Sequence, residues 1–204
     1  ENGRLDIKLL DALRDVARSH RGSFRITPNQ NVIIAGIRPQ DRPAIDAIWA
    51  EHYPTDGDVS VLRRNAMACV SLPTCGLAMA ESERYLPSLL DKIEAIVAEN
   101  GLSDKAITIR MSGCPNGCSR PYIAEIGLSG RAPGKYNLYL GGGFHGERLN
   151  SMVRENVGEE TILETLSDVI RQYARERRAD EHFGDFVIRA GIAREVTEGR
   201  LFNG

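Results

Sequence analysis

Apolar residues at Leu5, Leu9, Leu10, Leu13, Val16 and Ala17 recur at helical spacing, and the pattern stops at Arg21-Gly22, which predicts a first helix. Residues 23–27 and 31–37 are β-prone runs separated by Pro28-Asn29-Gln30, a turn-forming break, and they predict two strands. Pro39 suits a first helical position, and Ile45, Ile48, Trp49 and His52 then mark a second amphipathic helix ending near Tyr53-Pro54. The polar, glycine-containing stretch at residues 55–58 reads as a linker. It divides the chain into regions 1–56 and 57–204.

In the second region, Leu86, Leu89, Leu90, Ile93, Ile96 and Val97 share one face of a helix predicted over residues 82–100, with Asn100-Gly101 as its stop. Residues 106–111 alternate as a strand, and residues 123–129 and 136–140 frame a turn-rich segment that predicts a hairpin. A long helix over residues 159–178 turns Ile162, Leu163, Leu166, Val169, Ile170 and Tyr173 inward. Its acidic start and basic end match the helix dipole. Trp49 and Tyr173 fall at core phases and read as packing residues. Strands and helices alternate irregularly, so the expected fold is α+β, a mixed or antiparallel sheet flanked by helices. There is no internal repeat and no low-complexity tract.

Composition narrows the functional classes. The 204 residues carry 26 Lys plus Arg against 28 Asp plus Glu, a formal charge of −2, with 42% hydrophobic residues. That balance fits one large or two small globular domains and excludes a disordered tail. No run approaches the roughly 18 apolar residues of a membrane helix, so no membrane span is expected. The near-neutral charge lacks the basic excess of a nucleic-acid binder. Residues 1–10 show no basic n-region or apolar h-region, so no export signal is expected and the expected compartment is cytoplasmic. The chain opens on Glu1 rather than Met, which suggests a piece of a longer protein.

Four cysteines are too sparse for a disulfide-stapled scaffold, and their grouping is the main chemical clue. Cys69 and Cys75 form C-x5-C, Cys114 and Cys118 form C-x3-C, and 38 residues separate the pairs. Each pair stands in a short irregular segment beside Pro and small residues. Three readings stay open. A structural zinc site usually shows tighter knuckles than C-x5-C. Buried free thiols acting as small apolar residues require two pairs by coincidence. An iron–sulfur cluster needs four soft thiolates and tolerates wide spacing, and this reading is favoured. No histidine among His20, His52, His145 and His182 has metal-ligand spacing to another. The Gly141-Gly-Gly143 run lacks the pattern of a phosphate loop.

Asn65-Ala-Met-Ala-Cys69-Val-Ser-Leu-Pro-Thr-Cys75 and Ser112-Gly-Cys114-Pro-Asn-Gly-Cys118 resemble the signature of the sulfite and nitrite reductases that couple siroheme to a 4Fe-4S cluster. Residues 132–142 and 183–191 are more similar to the hemoprotein (beta) branch, the NADPH-dependent assimilatory sulfite reductases, and the likeness extends over the chain from Arg25-Ile-Thr-Pro-Asn-Gln-Asn31 onward. The resemblance implies that Cys69, Cys75, Cys114 and Cys118 ligate the cluster, and that Cys118 also binds the siroheme iron. It implies sulfite as substrate, reduced to sulfide by six electrons, and an NADPH-dependent flavoprotein (alpha) subunit as donor, in sulfate assimilation and cysteine biosynthesis. A ferredoxin-dependent sulfite or nitrite reductase and a non-catalytic four-cysteine zinc module are the alternatives. Asn116, and Gln30 within the loop Asn29-Gln30-Asn31, are candidate siroheme contacts, although both stand where a tight turn alone would explain them. Arg63, Arg64, Arg110, Arg120 and Arg131 are candidate partners of siroheme carboxylates, with solvated surface charge as the plain reading of each. Family members are two to three times this length by domain-size arithmetic, so the chain resembles a second half. Residues 1–56 would then form part of a ferredoxin-like domain shared with the missing first half, and residues 57–204 the domain that binds cluster and siroheme.

Overall fold

Helix α1 (Ile7–Ser19) begins where Asp6 caps it, its carboxylate accepting the Leu9 N–H at 2.7 Å. That hydrogen bond, the largest influence, holds the Asp6 carboxyl below its ordinary range. Strands β1 (Ser23–Ile26) and β2 (Val32–Ala35) form an antiparallel hairpin. A short 3-10 turn at Pro39–Asp41 then leads into α2 (Arg42–His52). The two helices pack together, tied by the His52 ring Nε2 and Asp15 Oδ2 at 3.1 Å.

The computed structural model describes residues 6–53 and 59–199. The predicted helix start at Leu5 and the linker at 55–58 lie outside the described residues. The chain divides into two compact units between Val59 and Ser60, and the elements above belong to the first.

The second unit is built on a five-stranded sheet in sequential order: β3 (Ala66–Ala68), β4 (Ile109–Ser112), β5 (Ile126–Ala132), β6 (Lys135–Leu140) and β7 (Ser151–Val157). The β3–β4 and β4–β5 pairings are parallel, while β5–β6 and β6–β7 are antiparallel. The sheet is therefore mixed, one of the two forms expected. Helices α3 (Val61–Arg64), α4 (Leu86–Glu99), α5 (Glu159–Glu176) and α6 (Phe183–Arg189) complete the unit.

Residues paired across strands share a face, so register alone separates two surfaces of this sheet. Ile109, Met111, Ile126, Leu128, Leu138 and Leu140 face a core that includes Leu89 and Ile93 of α4 and Leu166 and Ile170 of α5. The opposite face carries Arg110, Ser112, Gly127, Ser129, Asn137 and Tyr139. Those residues are largely buried too, and they are more polar. Part of their cover is the 3-10 turn at Pro121–Ile123: Pro121 O lies against Gly127, where a Cβ would stand 2.2 Å from it, and Asn150 Nδ2 donates to Pro121 O at 2.7 Å and to Ala124 O at 2.8 Å.

Several boundaries differ from expectation for local reasons. Helix α4 starts at Leu86 rather than at 82, because Ser82 serves the preceding turn: its O accepts the Tyr85 and Leu86 N–H groups and its Oγ donates to Met111 O at 2.6 Å. Strand β5 runs on to Ala132, which narrows the predicted 130–135 turn to Pro133-Gly134. Among the described residues no helix is long and apolar enough to cross a membrane.

Candidate metal centre

Parallel pairing delivers the first cysteine of each motif to the same end of the sheet. Ala68 pairs with Met111, so Cys69 leaves β3 beside the point where β4 runs toward Cys114. Such carboxyl ends of parallel strands are where open sheets commonly hold ligands. The Cys69 N–H donates to Met111 O at 3.1 Å, and the Gly113 N–H donates to Cys69 Sγ at 3.3 Å. Returning chain laces the two loops together, with the Met79 and Ala80 N–H groups both donating to Gly113 O, at 2.8 and 3.0 Å. The Cys75 N–H donates to Ser71 O at 2.8 Å, and the Ser71 hydroxyl donates to Ala80 O.

The second motif is a pair of turns. The Gly117 N–H donates to Cys114 O at 3.3 Å, closing a β-turn over Pro115 and Asn116, and the Arg120 N–H donates to Gly117 O at 2.7 Å. Gly117 has φ +66°, and a Cβ there would stand 2.7 Å from the Tyr122 ring, so glycine is required on both counts. Tyr122 bridges the loop by donating its hydroxyl to Pro115 O at 2.7 Å, and burial pushes that phenol's pKa up. Ser119 anchors the far end, its Oγ donating to Met111 O at 2.7 Å and its N–H to Ser112 Oγ at 3.1 Å. The loop thus leaves Cys118 exposed while Cys114 is buried, and Cys69 and Cys75 are intermediate.

Asn116 occupies the third position of its turn. Gln30 lies in the first unit, at the β1–β2 hairpin, with φ +62° and its N–H donating to Thr27 O at 3.2 Å. Among the arginines, Arg63 spans from α3 to α4, meeting Glu94 at 2.9 Å and also Asp91. Arg110 differs: its Nη1 is buried with no hydrogen-bond partner. Burial, and then the neighbouring Arg120 charge, lower its pKa. An orphaned guanidinium N–H of this kind suits an anionic group. The glycine run at 141–143 serves close packing, since a Cβ on Gly142 would strike Ala124 O and one on Gly184 would strike Gly142 O.

The donor set itself tests which group fits. Four unpaired thiols, soft donors, come from two loops. Among the described residues no three His, Cys, Asp or Glu side chains are gathered to hold a single metal ion. A tetrahedral zinc would need all four sulfurs about 2.3 Å from one point. Soft thiol donors on two separate loops suit an iron–sulfur cluster, and the Gly113 N–H on Cys69 Sγ is the kind of donor that stabilises a cluster's charge. Serines 71, 82, 112 and 119, which position these loops, escaped the sequence reading beyond the general presence of small residues near each cysteine.

Fold and site together define an α+β domain with four free thiols on two loops at the end of a mixed sheet. The chain belongs to the nitrite and sulphite reductase family: residues 1–52 match the nitrite/sulfite reductase ferredoxin-like half domain and residues 62–198 the nitrite and sulphite reductase 4Fe-4S domain. It is 63% identical over its whole length to the sulfite reductase (NADPH) hemoprotein beta-component of Nitrosomonas europaea, covering 36% of that protein. The protein of the same name from Afipia carboxidovorans is 66% identical over 96% of this chain and 34% of its own length. That from Staphylococcus carnosus is 57% identical over the whole chain and 37% of its own. Among solved structures, Mycobacterium tuberculosis NirA aligns with a TM-score of 0.67 at 26% identity, over 87% of this chain and 35% of NirA. The chain therefore spans about a third of the curated relatives it matches.

Proposed function

We propose that this chain is the electron-delivering part of an assimilatory sulfite reductase hemoprotein, in which Cys69, Cys75, Cys114 and Cys118 ligate a 4Fe-4S cluster and Cys118 also ligates siroheme iron. The observation that carries the reading is the convergence of both cysteine loops at one end of the parallel strands, with the Gly113 N–H on the Cys69 sulfur. When bound, the coupled pair of groups supplies electrons in sequence for the reduction of sulfite to sulfide.

The chain's own residues divide the work. Gly113 and the turn over Pro115-Asn116 shape the two cysteine loops, and Ser119 anchors the loop that leaves Cys118 exposed, where it would be free to hold the larger prosthetic group as well. Asn116 and Gln30 are proposed contacts of siroheme, and Arg110 is a proposed partner for one of its carboxylates. The boundary between a shared ferredoxin-like region, 1–56, and a cofactor region, 57–204, belongs to the same proposal. So do an NADPH-dependent flavoprotein partner, a place in cysteine biosynthesis and a cytoplasmic setting.

Sulfite binding and proton delivery are assigned to the rest of the whole polypeptide. The chain alone should accordingly reduce sulfite little or not at all. The test uses the full-length protein that contains this chain, supplied with sulfite and either NADPH with the flavoprotein or reduced ferredoxin. Faster sulfide formation with the flavoprotein supports the reading. Preference for ferredoxin transfers the chain to the ferredoxin-dependent branch, and the absence of haem absorption refutes the proposal.

A further inference from the structure

We propose that Ser71 is a positioning residue that raises the reduction potential of the cluster by holding the Gly113 N–H against the Cys69 sulfur. This rests on the cluster reading above and deepens it, since Ser71 is not itself a ligand in that reading.

Ser71 sits between the first two cysteines, is 1% exposed and has φ +50°, a left-handed conformation that serine rarely adopts. That conformation brings two of its groups to bear at once. Its carbonyl accepts the Cys75 N–H at 2.8 Å, and its hydroxyl donates to Ala80 O. The Ala80 N–H in turn donates to Gly113 O at 3.0 Å, and the Gly113 N–H donates to Cys69 Sγ at 3.3 Å. The circuit closes sterically, because the missing Cβ of Gly113 is the space that Ser71 Oγ and Cβ fill, with Ala80 O only 2.6 Å from the same point. Ser71 therefore braces the peptide whose N–H points at a sulfur. A donor on a ligand sulfur stabilises the more negative, reduced state of a cluster and raises its potential. Removing the brace lets that donor drift and lowers it.

The test uses the full-length holoprotein and compares Ser71→Ala and Ser71→Gly with the unsubstituted protein. Alanine removes the hydroxyl and keeps the unfavourable backbone, whereas glycine removes the hydroxyl and relieves the backbone. The expected result is a negative shift of the cluster potential in both variants, read by EPR-monitored titration. In both, the exchangeable-proton coupling assigned to the Gly113 N–H should also weaken in pulsed EPR. Should the alanine variant assemble no cluster, the glycine variant carries the test through the same two readouts. A potential and proton coupling unchanged in the glycine variant overturn the inference. An unsubstituted holoprotein without a cluster overturns instead the reading on which it rests.

Discussion

The raised pKa of Glu125 predicts a contribution that makes the folded chain more stable in mild acid than at neutral pH. The side chain is fully buried. Its Oε2 accepts the Thr108 N–H at 2.8 Å and the Thr108 hydroxyl at 3.3 Å, and its Oε1 accepts the Gly184 N–H at 2.8 Å. One carboxylate thus ties the entry to β4 and the start of α6 to the head of β5. Burial is the largest influence and raises its pKa from 4.5 to about 7, the backbone donors opposing it and Asp185, itself paired with Arg148 at 2.7 Å, adding to the rise. A carboxyl whose folded pKa lies above its unfolded value binds its proton more readily in the folded state. Its contribution is unfavourable above about pH 7 and disappears as pH falls toward 4.5, and the gap between these values is worth about 3 kcal/mol. Glu125→Gln removes the titration while leaving one carbonyl acceptor, at a cost of about 1–3 kcal/mol for the N–H that loses its acceptor. Urea unfolding midpoints of the unsubstituted chain should rise between pH 7.5 and 5.5, and this rise should be largely absent in Glu125→Gln. Equal pH slopes in the two proteins would show that Glu125 does not carry the pH dependence.

Three other substitutions probe separate contacts. Gly113→Ala places a methyl against Ser71 and 2.6 Å from Ala80 O, which should destabilise the second unit by about 1–3 kcal/mol in thermal unfolding and lower the yield of assembled cluster. Arg63→Ala breaks the bridge from α3 to Glu94 and Asp91, with an expected loss of about 1–2 kcal/mol by urea denaturation. The side-chain hydrogen bond from Arg189 is the main reason the Glu181 carboxyl is held down to about 2. That contribution is present above the ordinary carboxylate range and is lost as pH falls toward 2, so Arg189→Ala should shift the acid-unfolding midpoint to higher pH, as followed by circular dichroism.

How much was legible depended on how local the signal was. Helices α4 and α5 and the β5–β6 hairpin were readable because their apolar spacing and turn residues lie within a single stretch of chain. Strand β3 has only three residues, and β7 is a polar strand broken by Asn156 at φ +52°, so neither carries a clear alternation. Helix α6 has seven residues with Gly184 among them, too short for helical periodicity to show. At the site, the four cysteines announce themselves by type and spacing. What carries their two loops to the same end of the sheet does not, since it depends on Ala68 pairing with Met111 across more than 40 residues. Ser71 and Glu125 look like any other serine and glutamate until that pairing and the packing of α6 give them partners.

Metal and acid-labile sulfide analysis of the full-length, anaerobically purified protein, with its visible spectrum, decides whether the four cysteines hold a cluster and Cys118 a haem. The expected result is about four iron and four sulfide from the cluster, one further iron from siroheme, and haem bands that disappear in Cys118→Ser. One zinc per chain with no labile sulfide, or haem bands unchanged in Cys118→Ser, would contradict it.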